Sequence, residues 1–326
     1  MRQLAGICLS MLLLGTHAIA QTLSCGATVV GSVILGDDLH CPTGHGLVLG
    51  NGATLDCDGH RITGSGQPGQ YGIYVREVSG ATVRRCSVEG FEIGIRLRGA
   101  TDATVEASVS RENTRYGLEI TSNSTRAVIQ GNEITQNGDE GIHVSGPPDR
   151  DALHEIIGNT VGGNDLEGIY LLDSDANTVA DNAIQNHGTA GLYIKGSHRN
   201  TIEGNTLTND PIHLVDGSQQ NVLRDNTIIG QRIKFDGAPN NTVSTMHIQG
   251  EGGIPDTAYD LTNSPNNTIV DSAASDPGAY HIRVVNNSKN TVFTRFDAQP
   301  TLWCVADKTS RVRVTNPQGT SVPCRK

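Results

Sequence analysis

Five short phrases between Tyr116 and Asp216 share one grammar. Gly117-Leu118-Glu119-Ile120, Gly141-Ile142-His143-Val144, Gly168-Ile169-Tyr170-Leu171 and Gly191-Leu192-Tyr193-Ile194 each read glycine, apolar, any residue, apolar, and Ile212-His213-Leu214 repeats the phrase without its glycine. The phrase returns every 20 to 27 residues. A period of that length means a stack of like units, because one unit cannot bury its own apolar face and must share it with the next. Alternation with period two inside each phrase predicts a strand rather than a helix.

The phrase extends beyond the central stretch. Upstream it reads Gly46-Leu47-Val48-Leu49, Gly72-Ile73-Tyr74-Val75 and Gly94-Ile95-Arg96-Leu97; downstream it is expected at Ile233-Lys234-Phe235, Tyr259-Asp260-Leu261, Tyr280-His281-Ile282 and Trp303-Cys304-Val305. A second element follows each phrase, as in Asn177-Thr178-Val179-Ala180-Asp181-Asn182 and Asn200-Thr201-Ile202-Glu203-Gly204-Asn205. Its first asparagine recurs at Asn221, Asn241, Asn267 and Asn290, its second at Asn132, Asn159 and Asn226. Columns of one residue at a turn predict amide ladders, and asparagine tolerates the left-handed backbone of such turns. A leucine-rich solenoid would need Leu at many fixed slots, where this chain has Ile, Val and Asn. The fold predicted is therefore all-β, a right-handed parallel β-helix of about twelve coils. Its expected parts are an N-terminal cap at 21–45, the solenoid at 46–300 and a C-terminal coil or cap at 301–326.

Aromatic residues make up only 4% of the chain and glycines number 39, which suits a thin stacked core of Val, Ile and Leu. A net charge of -10 argues against non-specific nucleic-acid binding. Residues 1–20 read as a secretory signal peptide, with a basic start at Arg2, an apolar run from Ile7 to Leu14 and a small-x-small site at Ala18-Ile19-Ala20. No later stretch is apolar enough to span a bilayer, so a secreted or periplasmic monomer is expected. After the leader six cysteines remain, which allow fifteen pairings. Their clustering towards the two ends favours Cys25–Cys41, Cys57–Cys86 and Cys304–Cys324, staples for the coils that stacking supports least; their spacing fits no zinc pattern.

In each phrase the residue between the two apolar positions must point outward. Read down the stack, that slot gives Tyr74, Arg96, Glu119, His143, Tyr170, Tyr193, His213, Lys234, Asp260 and His281. β-propensity accounts for the tyrosines but not for an imidazole beside a carboxylate. The slot before the glycine gives Tyr71, Ile93, Tyr116, Glu140, Glu167 and Ala190, with Asp139 and Asp165 close by. Stacked carboxylates share a proton, hold a cation or splay into water; a calcium ion on Glu140, Glu167, Asp139 and Asp165 is the one cofactor they suggest. The longest coil carries an insertion, Ser145-Gly146-Pro147-Pro148-Asp149-Arg150-Asp151, expected to wall a cleft beside Glu140, His143 and Glu167.

The phrase Leu55-Asp56-Cys57-Asp58-Gly59-His60-Arg61-Ile62-Thr63-Gly64, followed by Gly-Ile coils and asparagine ladders, resembles the right-handed β-helix proteins of the carbohydrate-binding and sugar-hydrolase group. The polysaccharide lyases, the mannuronan epimerases and the periplasmic copper-accessory proteins of nitrous oxide reductase share this repeat. The resemblance covers residues 46 to 300 and implies the fold more sharply than the activity. Asp139-Glu140-Gly141-Ile142-His143 stands where the epimerases carry a Tyr-Gly-x-Asp-Pro-His motif, and it lacks that order.

Two functions follow as expectations. One is a polysaccharide lyase or epimerase on a uronate-containing glycan. In it His143 takes the α-proton, Tyr170 or Tyr193 returns one, Glu119 assists, and Arg96, Lys195 or calcium neutralises the carboxylate. Tyr74, His213 and Lys234 would line the substrate path. The other is a non-catalytic glycan-binding or accessory protein using the same column as its groove. Copper would need imidazole or soft ligands together, and His143, His213 and His281 are spread along the axis.

Overall fold

The computed structural model describes residues 20–147, 150–251, 256–299 and 302–325. The leader expected over 1–20 lies outside them up to residue 19, as do Pro148 and Asp149 of the insertion. Each coil contributes three strands, and like strands of successive coils pair side by side into sheets of 13, 15 and 12 strands. The first sheet runs from Ala27–Val29 to Cys304–Ala306, the second from Ala20–Gln21 to Ser321–Val322, and the third from Leu39–His40 to Asp297–Gln299. All pairing is parallel except the last, Val314 with Val322. This is the expected parallel β-helix of about twelve turns, and no helix occurs among the described residues. Within the expected cap, Ala27–Val29 pairs with Leu47–Leu49, so the cap is itself built as a coil.

The recurring glycine answers to space. A Cβ on Gly72 would stand 2.1 Å from Val88 Cγ1, and one on Gly117 would stand 2.4 Å from Ile134 Cγ2 and 2.8 Å from the Gly141 carbonyl. The two apolar residues of the phrase then fill the core: Ile142, Val144, Ile169, Leu171, Leu192 and Ile194 are all fully buried. Towards the C-terminal end the core widens to take three edge-on rings, Tyr259, Phe293 and Phe296, with centroids 5.4–5.6 Å apart.

Turns between strands are held by buried amide ladders. Asn132, Asn159, Asn182 and Asn205 each donate a side-chain bond to the asparagine of the next coil at 2.9–3.0 Å, and Asn226 accepts the last of them. A second ladder runs Asn177, Asn200, Asn221, Asn241 and on to Asn267, whose Oδ1 accepts from the Asn241 amide. Two details differ from the sequence reading. The left-handed residue is the one before each ladder asparagine, for example Asp181 (φ 55), Arg199 (φ 57) and Asn240 (φ 58), because the chain must turn there to aim the next side chain inward. Asn290 is such a turn residue and lies outside the buried ladder; the register Thr268 with Val292 puts the buried Thr291 above Asn267, and Asn290 bonds Asn266 on the surface.

His154 heads the second ladder. Its Nδ1 accepts from the Ala127 N–H at 3.1 Å, and its own N–H donates to Asn177 Oδ1 at 2.9 Å. Burial pushes its pKa down to about 4 from 6.5. The unfolded chain therefore takes up this proton first as pH falls, and stability is lost from about pH 6.5 downward. His154→Asn keeps the ladder's acceptor and removes the titration. Thermal unfolding between pH 7 and 4 is expected to show a shallower acid loss in the variant; an unchanged slope would exclude His154 as a source of acid sensitivity.

The three predicted disulfides, Cys25–Cys41, Cys57–Cys86 and Cys304–Cys324, are present. Each closes a stretch of 16 to 29 residues close to an end of the stack. Such cross-links suit an oxidising compartment.

Candidate functional site

The first sheet has the longest strands, and its register brings the outward slots into one column. Tyr74, Arg96, Glu119, His143, Tyr170, Tyr193, His213, Lys234 and Asp260 are successive partners, with Val48 before them. The column then differs from the sequence reading. Asp260 pairs with Arg283, not His281, and the next partner is Val305. The apolar pair in those coils is Ile282 with Val284 and Cys304 with Ala306, so the phrase shifts by two residues in one coil and by one in the next. An aromatic at Tyr280 or Trp303 imitates the inward residue, yet both are exposed, at 39% and 58%.

Along this column rings meet in series. His143 stacks on Tyr116 at 4.6 Å and 12°, and meets Tyr170 edge-on at 5.4 Å; Tyr170 meets Tyr193 at 5.3 Å, and Tyr193 meets His213 at 5.8 Å. The Arg115 guanidinium lies over Tyr116, 4.3 Å from its centroid, and donates to its hydroxyl. Tyr116 is thus held between a cation and an imidazole. Two coils earlier the same device recurs: His45 stacks on Tyr71 at 4.8 Å and Arg96 lies over that ring at 4.5 Å. Sequence reading missed Arg115 and His45. Their signal was a basic or imidazole residue beside or within the pre-glycine slot.

The carboxylates gather over three coils. Glu119, Glu140 and Glu167 lie on successive turns, and Glu119 and Glu140 are only 8% and 6% exposed. Glu140 Oε2 and His143 Nδ1 are buried without a hydrogen-bond partner among the described residues, and Glu140 Oε1 stands 3.5 Å from that nitrogen. Arg96 Nε approaches Glu119 Oε2 at 2.5 Å, an ion contact not aligned as a hydrogen bond. Burial raises the Glu119 pKa against the pull of Arg96. Glu167 is pushed up to about 7, first by burial and then by the charge of Glu140. Burial also raises Tyr170 and Tyr116 to about 12, so both phenols stay protonated at neutral pH. Burial and the nearby Lys234 lower His213 to about 4, which leaves it neutral.

Every cation of the column meets an acid. Arg96 faces Glu119, Lys195 faces Asp216 at 3.4 Å, Lys234 faces Asp236 at 3.2 Å, and Arg283 faces Asp260 at 2.6 Å. Asp139 is drawn to Arg115 at 3.1 Å, and Asp165 is exposed. Among the described residues no group of three or more His, Cys, Asp or Glu is placed to hold a metal ion. The six described cysteines are all in disulfides and Met246 is buried in the core.

The insertion does wall a cleft, but at the other end of the strands from Glu140 and Glu167. Pro147, Arg150 and Asp151 face Asp173, Asp175, Gly196, His198 and Arg199 across about 660 Å³.

Solved structures with this fold include the catalytic domain of GH87 alpha-1,3-glucanase in complex with nigerose, at 12% identity and TM-score 0.64 for the D1045A form, covering 90% of this chain and 62% of that one. The chain thus spans under two thirds of that domain. DFA-IIIase from Arthrobacter chlorophenolicus A6 without its lid matches at 15% identity and TM-score 0.57, covering 86% of this chain and 74% of that one. These identities establish shared architecture alone. No curated protein matches. Residues 155–296 match the right handed beta helix region model, which fixes the hand of the solenoid. Residues 29–215, more than half of the chain, match the model described as periplasmic copper-binding protein (NosD), and the chain belongs to that family.

Proposed function

We propose that the chain acts on an uncharged polysaccharide laid against the first sheet, cleaving a glycosidic bond with Glu167 as proton donor and Glu140 as the paired carboxylate. The observation that carries this reading is the stacked glutamate pair, one member protonated near neutral pH and the other buried with an unpartnered oxygen. Glycoside hydrolysis needs two carboxyl groups of unequal acidity, one to protonate the leaving oxygen and one to act as a base or nucleophile. Tyr116, clamped by Arg115, fixes the ring plane of His143, and Tyr170 offers a hydroxyl to sugar. The glycan complexes among the structural neighbours are consistent with a carbohydrate ligand.

Charge favours a neutral substrate over a uronate. Arg96, Lys195 and Lys234 are engaged by carboxylates, and the charge of Glu140 would repel a polyanion. Elimination or epimerisation of a uronate keeps one observation in its favour, the unpartnered buried Nδ1 of His143, which would serve as base. Copper, named in the family's description, calls for imidazole or sulfur donors brought together. His143 and His213 are three coils, roughly 14 Å, apart, and the described cysteines are all in disulfides, so these residues do not fit a copper centre and no step runs through one.

A panel of neutral glucans and polyuronates tests the proposal, with reducing ends and unsaturated-uronate absorbance read in parallel. New reducing ends from a neutral glycan, without that absorbance, are expected. Absorbance rising with a polyuronate would replace hydrolysis by elimination. Binding without turnover on any glycan would leave a binding protein.

A further inference from the structure

We propose that the cleft between the insertion and the turns after Leu172 and Lys195 is a second carbohydrate subsite, which extends the glycan path off the end of the first sheet; it rests on the glycan reading above. Its position is the first ground. Asp173 and Gly196 follow directly on the strands Glu167–Leu172 and Ala190–Lys195, which carry Tyr170 and Tyr193. From Glu167 to Asp173 the chain advances six residues, roughly 20 Å. A glycan crossing Glu167 and Tyr170 along the strand therefore meets the cleft next.

The lining is the second ground. Arg199 is spent on Asp151 at 2.6 Å and Asp175 at 3.0 Å, and Asp175 also accepts from the His198 N–H at 2.7 Å. These contacts brace the wall. Three groups are left over. The exposed Asp173 carboxylate has no ion-pair or hydrogen-bond partner among the described residues, and it packs where a Cβ on Gly196 would stand 2.3 Å from Asp173 Oδ1. Among the described residues Arg150 makes one hydrogen bond, to the Asn123 carbonyl at 3.1 Å. His198 accepts the Gln219 N–H on Nδ1 at 3.3 Å, which leaves its Nε2 as a donor. One acceptor and two donors, with the free charges of opposite sign, suit a ligand of many hydroxyls and no net charge. The volume lies in the range of small-ligand sites. An insertion in one repeat marking the binding face is usual for a solenoid.

Hydrogen exchange on the whole chain, with nigerose and longer neutral gluco-oligosaccharides as probes, tests the assignment. Protection is expected in the strands carrying His143 and Tyr170 and in the turns 173–175 and 196–199. In the double variant Asp173→Ala, Arg150→Ala the turn protection should vanish and affinity for the longer oligosaccharides fall by about tenfold. Both residues are exposed, so folding should be retained, checked by circular dichroism. Protection of the strands alone would overturn the subsite and leave the glycan reading standing. Protection of the turns alone would uphold the subsite and overturn the assignment of Glu167. No protection anywhere would overturn both. Calcium chloride or sodium phosphate protecting the turns where no saccharide does would make the cleft an ion site and overturn the proposal.

Discussion

Glu167→Gln is expected to lower hydrolytic turnover by about 10²–10⁴-fold, the usual weight of a positioned general acid, with little change in glycan affinity. The reason is its environment. Burial and the charge of Glu140 hold Glu167 protonated up to about pH 7, where an ordinary glutamic acid has released its proton near 4.5. Its acid form is present below about pH 7 and lost above, so turnover should fall on the alkaline side of that value. The same shift has a sign for stability: between about pH 4.5 and 7 the folded state binds more protons than the unfolded one, so stability falls as pH rises through that window. Glu140→Gln separates cause from role. It removes the charge that raises Glu167, and the alkaline limb of any remaining activity should move to lower pH. A Glu167→Gln enzyme within threefold of the parent rate would end its assignment as acid.

Asn205→Ala is expected to cost about 4 kcal/mol of folding stability. Asn205 is fully buried. Its Oδ1 accepts from the Asn182 backbone at 3.0 Å and the Asn182 side chain at 2.9 Å, and its Nδ2 donates to the Val179 carbonyl at 2.8 Å and to Asn226 Oδ1 at 2.9 Å. Alanine leaves two donors and one carbonyl buried without these partners, each a desolvation cost of about 1–3 kcal/mol. Gln130 supplies the control, since it donates one bond to Glu106 Oε2 on the exposed surface and lies in the strand Val128–Gln130; Gln130→Ala should cost under about 0.5 kcal/mol. Urea unfolding of the two variants decides. Equal losses would mean that the buried ladder is not a main source of cohesion.

The repeat made most of the fold legible. Glycine at a fixed place in each phrase, two apolar residues after it and asparagine at the turn are local demands, and each coil states them again. Register in the first sheet from Tyr74 to Asp260 follows, since a slip of one residue would turn Ile169 and Leu171 out of the core. Legibility failed where local pattern was ambiguous. Tyr280-His281-Ile282 and Ile282-Arg283-Val284 both read apolar, polar, apolar, and only burial of Ile282 and Val284 chooses between them. His187 and Asp210 escape the repeat pattern because they continue the line of Asn137 and Asn164, which are bonded at 2.8 Å, with different chemistry: side chains fully buried, 2.7 Å apart, with His187 joined to Asn164.

What the sequence by itself determined is the solenoid, its disulfides and the list of side chains on the outward column, because periodicity fixes which residues face in and which face out. The tertiary structure decided which of those groups are free to act. Arg96, Lys195 and Lys234 look like cations waiting for a uronate until neighbouring coils set Glu119, Asp216 and Asp236 beside them. Glu140 and Glu167 look like surface acids until stacking buries the first, half-buries the second and raises the second's pKa. Charge state depends on distances between coils and on exclusion of water, and neither quantity is written in the order of residues along one chain.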